Sequence, residues 1–408
     1  MKKLFLLFLI FLSCNTTKQV ATSSASNSSK AKNNSEDEPK TGKTDSPKPK
    51  NIILMIGDGM GLTQITAAMY MNQNKLHLER CPTVGLIKTH ASDNIITDSA
   101  ASATAYACGQ KTYNGAIGVD KDGKPLQTLL EYAEKQGMAT GLVATSAITH
   151  ATPASFIAHQ PKRSMYEAIA KDFLDTDVDL VIGGGRSHFD KRKDKLNLVD
   201  SLKNKGYFVT GNFNKINKNI EKFYLFTAPE HPGTKSEGRD YLPQATGLAL
   251  DFLSRKSDKG FFLVIEGSQI DWGGHANDVQ YILDELLDFN QSVGQVLDFA
   301  ESNGETLVVI TADHETGGLS LAPPSHKEYR TKSDTQRIEY NKRYYDALTM
   351  KANFDDEMKG DTLFGMFSTG YHTAVMVPVF SFGVGSGDFG GVYENVGVFG
   401  RIMEGWKD

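Results

Sequence analysis

Several short stretches of this chain set Asp, Glu, His or Ser beside glycine, the pattern expected where tight turns deliver ligand-type side chains to one point. IGDGMG (Ile56–Gly61) could pass for a dinucleotide loop, but it lacks the G-x-G-x-x-G spacing, and Asp58 would set a carboxylate against a pyrophosphate. A metal explains it better, with Asp58 as ligand and the glycines letting substrate approach the backbone. The plain alternative is an aspartate that caps the next helix. TDSAASATAYACG (Thr97–Gly109) sets Asp98 and Ser99 before a run of small helix-compatible residues, so Ser99 is expected near a helix N-terminus. Free N–H groups and positive potential there favour an alkoxide and an arriving phosphate, although capping is the commoner task of either residue. Ser99 has no G-x-S-x-G turn and no histidine base beside it. Metal coordination is then the remaining way to activate it as a nucleophile.

IEGSQIDWGGHAND (Ile265–Asp278) carries Glu266, Asp271 and His275, the last two four residues apart, so one helical turn or a tight loop could aim both at one ion. ITADHETGG (Ile310–Gly318) carries adjacent Asp313 and His314. Neighbours in a strand point to opposite faces, so both reach one metal only where the strand has ended, as Gly317 and Gly318 suggest. STGYHTAV (Ser368–Val375) adds His372 after a glycine turn. A single one of these histidines reads as structural; together with the carboxylates they read as a site. Asp and His without Cys suit zinc in a hydrolytic centre, whereas Glu266 and Thr152 suit a harder ion such as magnesium. Arg163 follows HATPASFIAH (His150–His159), where a guanidinium could grip two phosphate oxygens or simply lie on the surface.

The elements that must position these residues are legible as apolar runs. IILMIG (Ile52–Gly57), TGLVATS (Thr140–Ser146), DLVIGGG (Asp179–Gly185), FFLVIEG (Phe261–Gly267) and TLVVITA (Thr306–Ala312) are strand-length and continuously apolar, which predicts a sheet buried on both faces. Helical periodicity fills Leu126–Gln136, Leu242–Ser254 and Gln280–Ser302. The alternation predicts an α/β fold, a central mostly parallel sheet sandwiched between helices. Such sheets bind ligands at the carboxyl ends of their strands, where Asp58, His150, Thr152, Glu266, Asp313 and His314 collect. Lys191–Phe226 and Lys327–Lys359 read as small surface insertions.

Lys2 and Lys3 precede the apolar run LFLLFLIFLS, which ends at Cys14; this reads as an export signal, too short to span a bilayer. Phe11-Leu12-Ser13-Cys14 reads as a lipobox that would acylate Cys14 and anchor the chain to a membrane; the alternative is an ordinary signal cleaved elsewhere. Residues 15–50 are Ser-, Asn- and Lys-rich, a disordered tether reaching on the order of 30 Å. Residues 51–408 form the catalytic domain, long enough in a chain of 408 residues for one large core. A net charge of −5 with mixed signs excludes a nucleic-acid footprint. Cys81 and Cys108 either pair or stay free.

The ordered set IGDGMG, TDSAASATA, KTYNGAIGV, HATPASFIAH, Glu266–His275, TADHETGG and GYHTAV resembles alkaline phosphatase, from Asn51 to about Gly383; the tail beyond is short and glycine-rich and is not aligned. The resemblance implies hydrolysis of small-molecule phosphate monoesters through a phosphoserine at Ser99, with two zinc ions and one magnesium. It implies Asp271, His275 and His372 for the first zinc, Asp58, Asp313 and His314 for the second, and Asp58, Thr152 and Glu266 for magnesium. Arg163 falls where the family clamps phosphate. Trp272 stands where some members have Lys, and His150 where some have Asp, so phosphate affinity and product inhibition are expected to differ. A homodimer and a small insertion between His314 and His372 are also implied, while the N-terminal signal points to export to the periplasm or cell surface. The rival readings are a phosphodiesterase or sulfatase of the same superfamily and a catalytically silent metal- or phosphate-binding lipoprotein.

Overall fold

The computed structural model describes residues 48–322, 333, 349–351 and 362–406. The signal and lipobox (1–14), almost all of the tether (15–50) and most of the 327–359 insertion lie outside the described residues.

The apolar runs become the strands β1 (Asn51–Gly57), β3 (Ala139–Ala147), β4 (Leu180–Gly184), β7 (Phe261–Gly267) and β8 (Thr306–Thr311), every residue of them buried. With β2 (Thr83–Lys88), β5 (Phe208–Thr210), β6 (Phe223–Phe226), β14 (Val377–Gly383) and β15 (Gly391–Glu394) they build a ten-stranded sheet, in the order β15-β2-β14-β8-β1-β7-β3-β4-β6-β5. Only β14 runs antiparallel to its neighbours. Small antiparallel sheets join β9 (Glu315–Thr316) to β13 (His372–Thr373), and β10 (Leu319–Ala322) and β11 (Thr349–Lys351) to β12 (Thr362–Phe367).

Helices cover both faces. Val279–Asn303 packs on Tyr241–Leu253 and Leu62–Met71, while Ser99–Cys108 packs with Val396–Trp406 on the other side. The 25-residue helix Val279–Asn303 buries Ile282, Leu286, Phe289, Val293, Val296 and Ala300 along one stripe and is capped by the Asp278 carboxylate.

One expectation changes. Lys191–Phe226 is not a surface insertion, because it supplies β5 and β6 and extends the main sheet. Its polar residues masked two short strands, of three and four residues, whose buried side chains are few. The tail beyond Gly383, left unaligned by the resemblance, packs on the sheet: β15 pairs with β2, and Val396–Trp406 buries Val398 and Ile402. Cys81 and Cys108 are both free thiols.

Candidate active site

Strands β8, β1, β7 and β3 are consecutive neighbours, so their carboxyl ends open on one edge of the sheet. Asp58 follows β1, Glu266 sits near the end of β7, Asp313 and His314 follow β8, and His150 and Thr152 follow β3. The short helix Ile270–His275 after β7 presents Asp271 and His275 one turn apart, and the β9–β13 ribbon brings His372 opposite Thr316.

Three ligand sets result, each with one donor atom per residue within 4.8 Å of the others: Asp271, His275 and His372; Asp58, Asp313 and His314; and Asp58, His150 and Glu266. The first two are the sets expected for zinc. In the third, His150 stands with Asp58 and Glu266, and the buried Thr152 hydroxyl has no hydrogen-bond partner among the described residues.

The hydrogen bonds behind these sets fix what they can hold. His275 Nδ1 lies 2.9 Å from Gly370 O and His372 Nδ1 lies 2.8 Å from Thr97 O. A carbonyl only accepts, so Nδ1 carries the proton in both rings. The two Nε2 atoms nevertheless face one another at 3.1 Å. Bare lone pairs at that distance repel, so the pair calls for positive charge, and Asp271 beside it completes a carboxylate–imidazole set of zinc type. Thr316 Oγ1 donates to Asp271 Oδ1 at 2.5 Å and therefore accepts from His314 Nδ1 at 3.1 Å. His314 Nε2 is then a lone pair too, 3.2 Å from Asp313 Oδ2 and 3.6 Å from Asp58 Oδ1.

Asp58 Oδ2, Asp313 Oδ2, Glu266 Oε1 and His150 Nδ1 are buried and lack a hydrogen-bond partner among the described residues. Burial, then the charges of Asp313, Asp271 and Glu266, pushes the Asp58 carboxyl well above its ordinary range. Burial pushes Glu266 up to about 8, against the Ser268 hydroxyl that donates to it. Burial also holds the His314 and His150 imidazoles well below their usual range and hence neutral. Neutral imidazoles and crowded, unsatisfied carboxylates are costly without a cation. The donor chemistry fits metal ions.

Ser99 is the first residue of the helix Ser99–Cys108, and Asp98 is its N-cap, accepting from Ala101 N at 3.0 Å. The capping task therefore falls to Asp98, and Ser99 Oγ is free to point at the second set, 3.2 Å from His314 Nε2 and 3.5 Å from Asp58 Oδ1. Asp98 also holds Arg163: its Oδ2 accepts from Nη1 at 3.0 Å, while His150 Nε2 lies 3.1 Å from Nη2. Trp272 lies edge-on to His150, with ring centroids 6.1 Å apart.

The glycines of IGDGMG serve the protein rather than substrate. A Cβ on Gly59, at φ +72°, would stand 2.7 Å from Asp271 Cα and 2.8 Å from Thr316 Oγ1, and one on Gly61 would meet Glu315 Cγ at 2.2 Å. The missing side chains let Asp271 and Thr316 pack against Gly59 and Glu315 against Gly61. Residues not singled out from sequence also belong here: Thr316, Ser268, and His231, whose ring lies 4.9 Å from Trp272 and 5.4 Å from His150. Thr316 could have been suspected two positions after His314; nothing in the turn Glu230–Gly233 marks His231.

A family profile described as alkaline phosphatase matches residues 49–405, the tail included. Alkaline phosphatase 3 of Bacillus subtilis (strain 168) is 35% identical over 411 residues, covering 87% of this chain and 88% of that protein. The alkaline phosphatase of the Antarctic bacterium TAB5 superposes with a TM-score of 0.78 at 40% identity, over 88% of this chain and 98% of that one. A histidine-to-glutamate variant of the TAB5 enzyme, solved with Mg bound in the M3 site, superposes with a TM-score of 0.77 at 40% identity, over the same 88% and 98% of the two chains. With its ligand-rich sheet edge and this match along nearly the whole domain, the chain belongs to the alkaline phosphatase family, metal-binding enzymes that hydrolyse phosphate monoesters.

Proposed function

We propose that this enzyme hydrolyses phosphate monoesters in two displacements, with Ser99 as the nucleophile and phosphoserine as the intermediate. Asp271, His275 and His372 would hold one zinc ion, and Asp58, Asp313 and His314 the second. Asp58, Thr152 and Glu266 would hold magnesium, with His150 beside them. When bound, such ions neutralise developing charge on the attacking and leaving oxygens and lower the proton affinity of a coordinated oxygen. The protein's own part starts at Ser99. Its Oγ is aimed at the second set from the first turn of a helix, where free N–H groups favour negative charge. Oγ gives its proton to water as it attacks phosphorus, the O–P bond to the alcohol breaks, and the alcohol leaves with a proton from water. A water molecule then attacks the phosphoserine, phosphate departs, and Oγ recovers a proton. Through both steps Arg163, charged and held by Asp98 and His150, is placed to donate to the equatorial oxygens of the phosphoryl group.

The observation that carries this reading is a serine hydroxyl, freed from capping by Asp98, 3.2 Å from a metal-type imidazole nitrogen. Acid quenching during turnover of a monoester tests it: phosphate should be trapped on the peptide containing Ser99. Ser99→Ala should lose the trapped phosphate and most turnover; near-normal turnover by that variant would refute the role.

Two further proposals rest on sequence. The Lys2–Lys3 start and the apolar run to Cys14 favour export, with a lipid on Cys14 and the domain tethered at the periplasmic or cell-surface side of a membrane. Metabolic labelling with a fatty acid should mark the wild type and not Cys14→Ser. The family resemblance favours a homodimer, which light scattering of the purified domain would reveal as twice the chain mass.

A further inference from the structure

We propose that His231 is a positioning residue for the phosphate clamp: through the rings of Trp272 and His150 it holds the Arg163 guanidinium in place, and so sets affinity for phosphate rather than the rate of phosphoryl transfer. This rests on the assignment of Arg163 to the phosphoryl oxygens.

His231 lies in the segment between β6 and the helix Tyr241–Leu253, and that segment is bolted down at several points. Gly185 N donates to Glu230 O at 2.7 Å, and Gln269 Nε2 donates to Pro232 O at 3.1 Å. Behind it, Arg239 is buried in ion pairs with Glu285 and Asp288. The ring itself is fixed by one hydrogen bond: Ala147 N donates to His231 Nδ1 at 3.1 Å. An amide only donates here, so Nδ1 accepts and the imidazole is neutral with its proton on Nε2. Partial desolvation and the nearby His188 hold His231 below its usual range, in keeping with that state.

From this anchor the ring meets Trp272 edge-on, with centroids 4.9 Å apart at 90°, and His150 edge-on, 5.4 Å apart at 84°. Trp272 and His150 are themselves 6.1 Å apart at 90°. The three rings, His231 on the exposed side, Trp272 half-buried and His150 buried, form a triangle of edge-to-face contacts that favours one orientation of each. His150 thus has a favoured orientation, and its Nε2 faces Arg163 Nη2 at 3.1 Å while Asp98 takes Nη1 at 3.0 Å. His231 itself reaches the clamp only through these rings, and none of its contacts among the described residues is with Ser99. Its loss would free His150 to turn and Arg163 to sample other rotamers, and that side-chain freedom must be surrendered again each time phosphate binds.

The test uses the full, metal-loaded enzyme. Titration calorimetry with inorganic phosphate gives the dissociation constant, and p-nitrophenyl phosphate gives KM and kcat. His231→Asn keeps an acceptor for the Ala147 amide and removes the ring; His231→Phe keeps a ring. For His231→Asn the phosphate dissociation constant and KM should rise together, roughly two- to twelve-fold from the cost of ordering one long side chain. Its kcat should hold or increase as product leaves sooner, with metal content and melting temperature as in the wild type. His231→Phe should bind phosphate nearly as the wild type does. Arg163→Ala serves as the reference and should bind phosphate more weakly than either. Wild-type phosphate affinity in His231→Asn, with Arg163→Ala weakened, would overturn this inference alone. So would a His231→Phe enzyme as weak as His231→Asn, or a joint fall in kcat, metal content and melting temperature. Unchanged phosphate affinity in Arg163→Ala would overturn both the inference and the clamp assignment beneath it.

Discussion

Replacing Thr316 by Val should loosen two metal sites at once. The Thr316 hydroxyl is fully buried between the first two ligand sets, donating to Asp271 Oδ1 at 2.5 Å and accepting from His314 Nδ1 at 3.1 Å. Val has nearly the same shape, so the change removes both hydrogen bonds with little change in volume. The bond to the ionised Asp271 is worth about 1.5–3 kcal/mol, and leaving His314 N–H buried without a partner costs about 1–3 kcal/mol. Outer partners of metal ligands typically govern about 10- to 100-fold in metal affinity. With one hydroxyl orienting a ligand in each set, the upper end of that range is expected. Zinc affinity measured by competition with a chromophoric chelator should fall by about 100-fold in Thr316→Val. Turnover at limiting zinc should fall in parallel and recover with excess zinc. Thr316→Ser, which keeps the hydroxyl, should stay near the wild type. A Val variant that holds zinc as tightly as the wild type would refute the claim that this hydroxyl orients the ligands.

Gly59→Ala should cost metal as well as stability, because the new Cβ would press on Asp271 and Thr316 at a left-handed backbone position; full metal content by emission spectroscopy would contradict this. Arg239→Ala leaves the buried Glu285 without its cation and Asp288 with Lys235 alone, and should destabilise the fold by about 3–5 kcal/mol in urea melts. A loss below about 1 kcal/mol would mean the pair is relieved by water or protonation. In the metal-free protein Glu266 is pushed up to about 8 from an ordinary value of 4.5. Between those values the native state holds a proton that the unfolded chain has lost, so this group makes stability fall as pH rises from about 4.5 to 8 and level off above. The metal-free Glu266→Gln variant should show a flatter melting-temperature profile over that window; an identical slope would place the titration elsewhere.

The sheet was legible where burial on both faces makes a strand continuously apolar, as in FFLVIEG and TLVVIT. It was not legible where strands are short or half-exposed: β2, β5 and β15 expose part of their residues and carry no apolar run to announce them. The ligands were legible because chemistry restricts their type. Carboxylates and imidazoles next to glycine at strand ends are costly unless they serve a charge, so Asp58, Asp313 and His314 stood out as candidates together, though none did alone. What sequence could not supply was the support around them. Asp98 is both N-cap and holder of Arg163, a double role that depends on a contact across 65 positions. His150 joins Asp58 and Glu266 only because β3 lies beside β7 in the sheet. His231 is held beside Trp272 by a hydrogen bond that it accepts from the Ala147 backbone N–H, 84 positions away, which leaves no local pattern.

The most direct test of the whole account is anomalous diffraction at the zinc edge from crystals of the protein grown with zinc and magnesium. The account predicts two strong peaks, one coordinated by Asp271, His275 and His372 and one by Asp58, Asp313 and His314, with Ser99 Oγ beside the second. Peaks lying elsewhere, or none at these side chains in a fully active crystal, would contradict it.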